Sequence, residues 1–198
     1  MKFIGITGGV GAGKSAILQY ISDHYNSRVL LADEIAHQVM EPGTDCSRKL
    51  QTLFPEEGVF LEGGQIDRQA MAAILFSDPS RREALNAIVH PAVKEYVIEQ
   101  EKLEREKGDI DWLILEAALL IEEHYDEICD ELWYIYTSEA NRRERLKANR
   151  GYSDEKIDQI FRSQLSEEQF RAACRVEIDN NHSPEESFAQ IREIFDRR

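Results

Sequence analysis

One stretch constrains this chain more than any other: "GITGGVGAGKSAI", residues 5–17, with four glycines in six positions followed by a lysine and a serine. Four residues match the pattern G-x-x-x-x-G-K-[ST], namely Gly8, Gly13, Lys14 and Ser15. A buried-strand pattern, "KFIGIT", precedes the loop, and a helical pattern follows it, which is the context in which this motif binds phosphate. The stretch therefore predicts a phosphate-binding loop between the first strand and the first helix.

Each part of this motif has a physical role in holding a polyphosphate. Glycines let successive N–H groups point inward to form an anion nest, and the start of the helix adds its positive dipole end. Lys14 is expected to reach the β- and γ-phosphates, and the Ser15 hydroxyl to ligate Mg²⁺. A glycine-rich turn without a ligand is the alternative. The predicted nucleotide-binding residues are Gly8, Gly9, Gly11, Ala12, Gly13, Lys14, Ser15 and Ala16.

Apolar periodicity predicts the rest of the fold. Short strands are expected at "KFIGIT", "RVLLAD", "DWLILE", "ELWYIY" and "RVEID", and the long middle of the chain has mainly helical spacing, with an irregular turn or small hairpin at "PEEGVFLEGGQID" (55–67). Ser166 with Gln169 and Ser183 with Glu186 fit capping boxes at helix starts. Strands separated by helices predict an α/β fold with a three-layer parallel sheet, a P-loop NTPase core, a helical insertion and a small helical lid. We expect one domain, residues 1–198, with these parts: a core of about 1–33, 108–137 and 174–198, a helical lobe of about 34–107, and a lid of about 138–173.

Composition narrows the functional classes. The 198 residues carry a net charge of −14, so a nucleic-acid partner is not expected. The longest apolar runs are too short to span a bilayer, and the N-terminal residues already read as a strand, so we expect neither a membrane segment nor a signal peptide. Three widely spaced cysteines form no metal or disulfide pattern, which predicts a cytoplasmic protein.

The strings N-K-x-D and D-x-x-G, which a GTPase would contain, are both absent from the chain. Two acidic residues suggest a phosphotransferase instead. Asp33 is predicted to end the second strand, where it could orient an attacking hydroxyl or accept its proton. Its alternative role is to cap the following helix. Glu116 ends the strand "WLILE", where it could hold Mg²⁺ directly or through water, or simply be a solvated acid.

A basic segment follows the fourth strand, in contrast to the acidic character of the chain. Five of nine residues are cationic: Arg142, Arg143, Arg145, Lys147 and Arg150. "NRGYS" ends the helix directly after this cluster, so the segment predicts a helix, a turn and a second helix. Such a flap could close over phosphates and supply guanidinium groups to the transferring phosphoryl group, whereas a salt-bridged helix face is the alternative. His90 precedes Pro91 and is therefore expected at a helix break, where it could face the cleft.

The ordered set of motifs resembles the dephospho-CoA kinase family from residue 3 to about residue 195. The similar segments are "GITGGVGAGKS", "LADEIAHQVMEPG", "DRQAMAAILFSDPSRREALNAIVHP", "ALLIE", "RLKANRGYS", "RSQLSEEQFRAAC" and "VEIDNNHS". The phosphate loop alone is common to many kinases, whereas the combination with His90-Pro91 and "IDNN" is much more specific.

The resemblance implies ATP-dependent phosphorylation of the 3′-hydroxyl of dephospho-CoA, giving coenzyme A and ADP with Mg²⁺ as cofactor. It implies Asp33 beside that hydroxyl, Lys14 and Ser15 on phosphates and metal, lid arginines on the phosphoryl group, and a helical lobe for the CoA portion. His90 is carried over as a substrate-binding residue, and Arg145 and Arg150 are the favoured lid arginines.

Several residues depart from the family pattern. Leu31-Ala32-Asp33 stands where the family usually has Asp-Ala-Asp, and His37 stands where an arginine is common. Ala118 stands in place of a proline, and Asn149 in place of a common lid arginine.

The sequence thus predicts candidate catalytic residues Asp33, Lys14, Arg145 and Arg150, candidate substrate-binding residues Asp33 and His90, and candidate metal ligands Ser15 and Glu116. The expected partners are ATP and dephospho-CoA, with no nucleic acid or membrane, in a monomer or weak homo-oligomer. Two alternatives remain: another nucleoside or nucleotide kinase, or a non-catalytic nucleotide-binding switch.

Overall fold

The protein folds around a five-stranded sheet. A computed structural model describes residues 1–56 and 58–197. Its strands, in chain order, are β1 (Lys2–Thr7), β2 (Ser27–Leu31), β3 (Trp112–Glu116), β4 (Glu131–Tyr136) and β5 (Val176–Asp179). The inner strands are nearly fully buried, as continuous apolar runs predict for a sheet covered on both faces. The predicted α/β class is therefore confirmed.

The strand order, β2-β3-β1-β4-β5, determines where a ligand site can form. β1 pairs in parallel with both β3 and β4, and β4 pairs in parallel with β5. After β1 the chain moves to one side of the sheet, and after β3 it crosses to the other side. The carboxyl ends of β1 and β3 therefore flank a topological switch point, where open α/β sheets bind their ligands. In the register of this pair, Ile6 lies opposite Glu116.

Nine α-helices lie in the described part of the chain. They are α1 (Lys14–His24), α2 (Ala32–Val39), α3 (Asp45–Leu53), α4 (Arg68–Ser77), α5 (Pro79–Lys107), α6 (Glu139–Arg150), α7 (Asp154–Arg162), α8 (Glu167–Ala173) and α9 (Pro184–Asp196). Capping boxes start α8 at Ser166 and α9 at Ser183, as the sequence predicts. Gly151 ends α6 in the left-handed conformation, which confirms the predicted break between α6 and α7.

Two local predictions differ from the structure. The second strand was expected to run to Asp33, but β2 ends at Leu31 and α2 begins at Ala32. Asp33 therefore lies in the first turn of a helix, where a carboxylate is favoured by the helix dipole.

The expected helix break at His90 is also wrong, because α5 continues through Pro91. Val89, Val93 and Val97 are buried at a spacing of four residues that stays in phase across the proline. This burial outweighs the local preference of the residue before proline for extended geometry.

Within the turn or hairpin predicted at 55–67, Phe60 and Ile66 form an antiparallel bridge; Glu57 lies outside the described residues.

The chain divides into two compact units: Met1–Val29 with Glu104–Arg198, and Leu30–Leu103. We call them the sheet unit and the helical unit. In the sheet unit, Phe3, Ile114 and Trp133 are fully buried. In the helical unit, Leu50, Phe54 and Val97 have 0–1% of their surface exposed and form part of the core of that unit. No helix of the described residues combines the length and apolarity needed to cross a membrane.

Candidate active site

The loop between β1 and α1 leaves backbone donors available at the start of a helix. Gly13 is the N-cap of α1 and has no side chain that could cap the first turn, which also contains no acidic residue. By contrast, the N-cap side chains of α3, α4, α6, α7, α8 and α9 all accept such bonds. An uncapped helix N-terminus after a glycine-rich loop is suited to bind an anion.

Lys14 and Glu116 meet beside this loop, at the switch point of the sheet. The Lys14 ammonium donates to the Gly8 carbonyl at 3.0 Å and lies 3.4 Å from Glu116 Oε1. Both side chains keep partial exposure, 14% for Lys14 and 20% for Glu116. The sequence predicted both residues for the site, and the structure brings them together in the sheet unit.

A single carbonyl of the loop, that of Ala12, accepts hydrogen bonds from three side chains. Thr137 Oγ1 donates to Ala12 O at 3.0 Å, Asn180 Nδ2 at 2.7 Å and Arg145 Nη1 at 3.2 Å. Asn180 is buried and accepts from the Ser187 hydroxyl at 2.8 Å, which fixes its amide orientation. These bonds anchor the loop to the ends of β4 and β5.

The two favoured lid arginines have different surroundings. Arg145 donates through Nη2 to the Asn180 carbonyl at 2.7 Å, so its guanidinium bridges the phosphate loop and the C-terminal motif. Arg150 is exposed at the end of α6, and its guanidinium lies 6.0 Å from the ring of Tyr152. Arg145 thus adjoins the loop, and the contact described for Arg150 is with its own turn.

A third arginine, Arg142, lies against the loop itself. Its Nη1 donates to Gln164 Oε1 at 3.0 Å, and the same oxygen accepts from the Val10 amide at 3.3 Å. A Cβ on Gly9 would lie 1.8 Å from Arg142 Nη1, so this glycine is needed for close approach of the arginine. The Arg142 guanidinium also lies over the Phe161 ring, 4.3 Å from its centre.

The donor types near α1 fit a magnesium ion. Ser15, in the first turn of α1, is exposed, and Glu116 supplies a carboxylate at the end of β3. Hydroxyl, carboxylate and phosphate oxygens are the ligands that Mg²⁺ prefers, and it commonly takes only one or two from the protein. Accordingly, a metal here does not require a cluster, and no three His, Cys, Asp or Glu side chains gather as a metal site in residues 1–56 and 58–197.

The other predicted site residues lie in the helical unit. Asp33 is exposed in the first turn of α2, and His90 is half-buried in the middle of α5. This unit also contains an open cleft of about 460 Å³, lined mainly by apolar side chains, with His37, Glu41, Gln65 and Arg68 as its polar members. Its lining includes Leu61, Ile66, Arg68, Met71, Leu75 and Leu85.

Sequence reasoning missed four residues of the loop environment: Thr137, Asn180, Arg142 as the loop-facing arginine, and Gln164. Asn180 lies in the "IDNN" string, which the resemblance marked without a role. No local pattern distinguishes Arg142 from Arg143, because the difference arises from which element each side chain meets.

Comparisons with known proteins identify the family of this chain. A sequence profile described as dephospho-CoA kinase matches residues 2–186. A Geobacter sulfurreducens dephospho-CoA kinase is 35% identical over 198 residues, covering 100% of this chain and 99% of its own. One from Thermobifida fusca is 34% identical over 197 residues, covering 99% and 96%.

Solved structures share the fold. A crystal structure of a Thermus thermophilus protein has a TM-score of 0.78 and 31% identity, covering 99% of this chain and 97% of its own. The dephospho-CoA kinase from Campylobacter jejuni has a TM-score of 0.71 with 22% identity, covering 98% of both chains, and supports the fold. From the profile match and the full-length identities, this chain belongs to the dephospho-CoA kinase family.

Proposed function

We propose that the loop around Lys14 holds ATP while Asp33 meets the acceptor, in the reaction of this family, the ATP-dependent phosphorylation of dephospho-CoA. The single observation that carries this assignment is the uncapped N-terminus of α1 beside the Lys14 ammonium. Backbone N–H groups and one cation converge there, and a nucleoside triphosphate tail supplies the matching negative charge.

In this proposal the residues of the loop bind and orient the phosphates. The backbone of Gly8, Gly9, Gly11, Ala12, Gly13 and Ala16 surrounds the tail, and Lys14 moves its ammonium from Glu116 to the β- and γ-phosphates. Ser15 and Glu116 would hold Mg²⁺, which when bound neutralises charge developing on the phosphate oxygens. The anchored Ala12 carbonyl keeps the loop rigid, so the phosphates bind to a prearranged site.

Asp33 is proposed to accept the proton of the 3′-hydroxyl of dephospho-CoA, or to orient that hydroxyl for in-line attack. Its carboxylate is exposed, as a group that must meet a bound acceptor needs to be. Arg145 and Arg150 are proposed to balance charge on the transferring group. Arg145 adjoins the loop already, whereas Arg150 would need movement of the lid, residues 138–173.

The helical lobe, residues 34–107, is proposed to bind the acceptor. Its cleft is lined by Met71, Leu75 and Leu85, which suit the pantetheine arm of dephospho-CoA, and Arg68 adds a positive charge for an anionic group of the acceptor. His90 belongs to the same unit and is proposed as a further acceptor contact. We also propose a cytoplasmic location, since the three cysteines are far apart in the sequence and form no metal or disulfide spacing, and a monomer or weak homo-oligomer.

A coupled ADP-release assay tests the function. Dephospho-CoA is compared with a panel of nucleosides and nucleotides at equal concentration, with and without magnesium. We expect dephospho-CoA alone to raise turnover strongly, and only with magnesium present. Faster turnover with a nucleoside would identify another kinase, and tight ATP binding without stimulation by any acceptor would identify a nucleotide-binding switch.

Asp33→Asn tests the assigned acceptor residue. We expect kcat to fall by about 10²- to 10⁴-fold, because proton transfer to a positioned carboxylate contributes on that scale. ATP affinity, measured by calorimetry, should stay close to that of the unmodified protein. Glu34→Gln, an exposed neighbour in the same first turn, is the matched control and should retain turnover. Full turnover by Asp33→Asn would show that another group performs this role.

A further inference from the structure

Two adjacent arginines of α6 occupy opposite electrostatic environments. Arg143 meets three carboxylates: Asp158 at 2.5 Å, Asp154 at 3.0 Å and Glu139 at 3.4 Å. Arg142 makes no ion pair among the described residues, and its one described hydrogen-bond partner is the neutral side chain of Gln164. The lid thus neutralises one arginine internally and leaves its neighbour without a counter-ion.

The uncompensated arginine is the one that faces the phosphate loop. Arg142 covers Gly9, and its backbone and Cβ lie 3.1–3.4 Å from the position of a Cβ on Gly11. Burial lowers the pKa of this guanidinium, which remains charged because arginine titrates far above neutral pH. The nearby acids Glu139 and Glu167 pair with Arg143 and Arg171 instead. A partly buried cation with no counter-ion is costly unless an anion joins it.

Gln164 connects this arginine to the loop backbone. Its Oε1 accepts from Val10 N at 3.3 Å and from Arg142 Nη1 at 3.0 Å, so one amide oxygen fixes the guanidinium relative to the loop. The planar guanidinium has five N–H donors, and this bond uses one of them. The Phe161 ring, 4.3 Å away, fixes its plane from one side. Donors are therefore held in place next to a loop that binds phosphate.

We propose that Arg142 binds a phosphate oxygen of ATP and that Gln164 is the positioning residue that holds it against the loop. This inference rests on the proposed function, since it presumes a nucleotide in the loop. It adds to the phosphate-binding residues an arginine that the sequence did not favour. The family often has a lid arginine at the position that Asn149 occupies in this chain. Arg142 thus joins Arg145 beside the phosphates, and Arg145 in addition anchors the loop through the Ala12 and Asn180 carbonyls.

Calorimetric titration with Mg²⁺-ATP tests the pair. Arg142→Met should raise the ATP dissociation constant by about tenfold to hundredfold, the loss expected for a charge-assisted hydrogen bond. Arg142→Lys should recover part of that loss, because it keeps the charge without the planar donors. In the coupled assay, the KM for ATP should rise while the KM for dephospho-CoA stays within about twofold. Arg162→Gln, an exposed arginine of α7, is the control and should bind ATP normally.

Gln164→Glu separates phosphate binding from a purely structural contact. A carboxylate keeps the acceptor for Val10 and Arg142, so a structural role predicts an unchanged or more stable protein with normal ATP affinity. Our proposal predicts ATP binding weakened by about tenfold, because the new charge neutralises Arg142 and repels phosphate. Thermal unfolding without nucleotide checks that each variant is folded.

The outcomes distinguish this proposal from the function on which it rests. Wild-type affinity in Gln164→Glu, or in a folded Arg142→Met, overturns the role of Arg142 while leaving the kinase intact. Should Arg142→Met fail to fold, the Gln164→Glu titration still decides. If the unmodified protein itself binds no ATP, the proposed function fails together with this inference.

Discussion

At the scale of single residues, Gly13 shows how the loop geometry excludes a side chain. Its φ of 86° lies in the left-handed region, and a Cβ there would be 2.5 Å from Asn180 Nδ2. That amide nitrogen is the donor to Ala12 O at 2.7 Å. A side chain at this position would therefore strain the backbone and displace the bond that anchors the loop.

Gly13→Ala should lower the free energy of unfolding by about 2–4 kcal/mol, the sum of a left-handed alanine and a lost buried hydrogen bond. Gly43→Ala is the control, since its φ is 91° and nothing lies within 4 Å of its Cβ position. It should cost only about 1–2 kcal/mol. Urea unfolding of both variants measures the difference, and equal losses would show that the contact with Asn180 contributes nothing.

Residues with a chemical signature were predictable from the sequence, and residues defined by their neighbours were not. Lys14 and Ser15 follow from one motif, because the loop, the helix start and both side chains are contiguous in the chain. Arg142 and Gln164 are 22 positions apart and meet only after α6 and α7 fold. Their roles depend on tertiary contacts that no local pattern encodes.

At the scale of elements, α5 is the clearest case of packing overriding a local signal. Pro91 lies inside this 29-residue helix, where it cannot donate to the carbonyl of Ala87 one turn earlier. Its side chain is exposed, so it adds little to packing, while the buried valines on either side hold the helix together. The sequence shows the local effect of the proline, but it does not show that the burial of the valines on either side is the stronger effect.

Pro91→Ala should therefore raise the free energy of unfolding by about 1–2 kcal/mol, since it restores a backbone hydrogen-bond donor within the helix. The gain is reduced because alanine makes the unfolded chain more flexible than proline does. Glu95→Ala, an exposed position one turn later, serves as the control and should change stability by less than about 0.5 kcal/mol. Chemical unfolding followed by circular dichroism measures both. A loss of stability in Pro91→Ala would show that the proline is favourable where it stands.

Strands and helix caps were predicted more reliably than the break inside a helix, for a physical reason. A capping box is a reciprocal contact within four residues, so Ser166 and Ser183 could be assigned without any tertiary information. β2 is shorter than expected because the residues after Leu31 gain more as the first turn of α2 than as strand. Element ends depend on this competition, which sequence periodicity does not resolve.

At the scale of the whole molecule, the cysteines are distributed between the two compact units. Cys46 is buried in the helical unit, and Cys129 and Cys174 belong to the sheet unit. Burial raises the pKa of the Cys46 thiol and raises that of Cys174 to about 12. At pH 8 both are therefore protonated in the folded protein and react slowly with alkylating reagents, so labelling of each thiol reports opening of its own unit.

This distribution makes the coupling between the units measurable. ATP bound at the phosphate loop stabilises the sheet unit by about 2.7 kcal/mol at a hundredfold excess over its dissociation constant, so labelling of Cys129 and Cys174 should slow by about 100-fold. Because the helical unit has its own core, we expect it to open independently and Cys46 to slow much less. Iodoacetamide labelling at pH 8, quantified by peptide mass spectrometry, measures the three rates, with Lys14→Ala as the variant in which ATP should protect none of them. Equal slowing of all three thiols would mean that the molecule unfolds as one cooperative body, in which nucleotide binding stabilises the helical unit as strongly as the sheet unit.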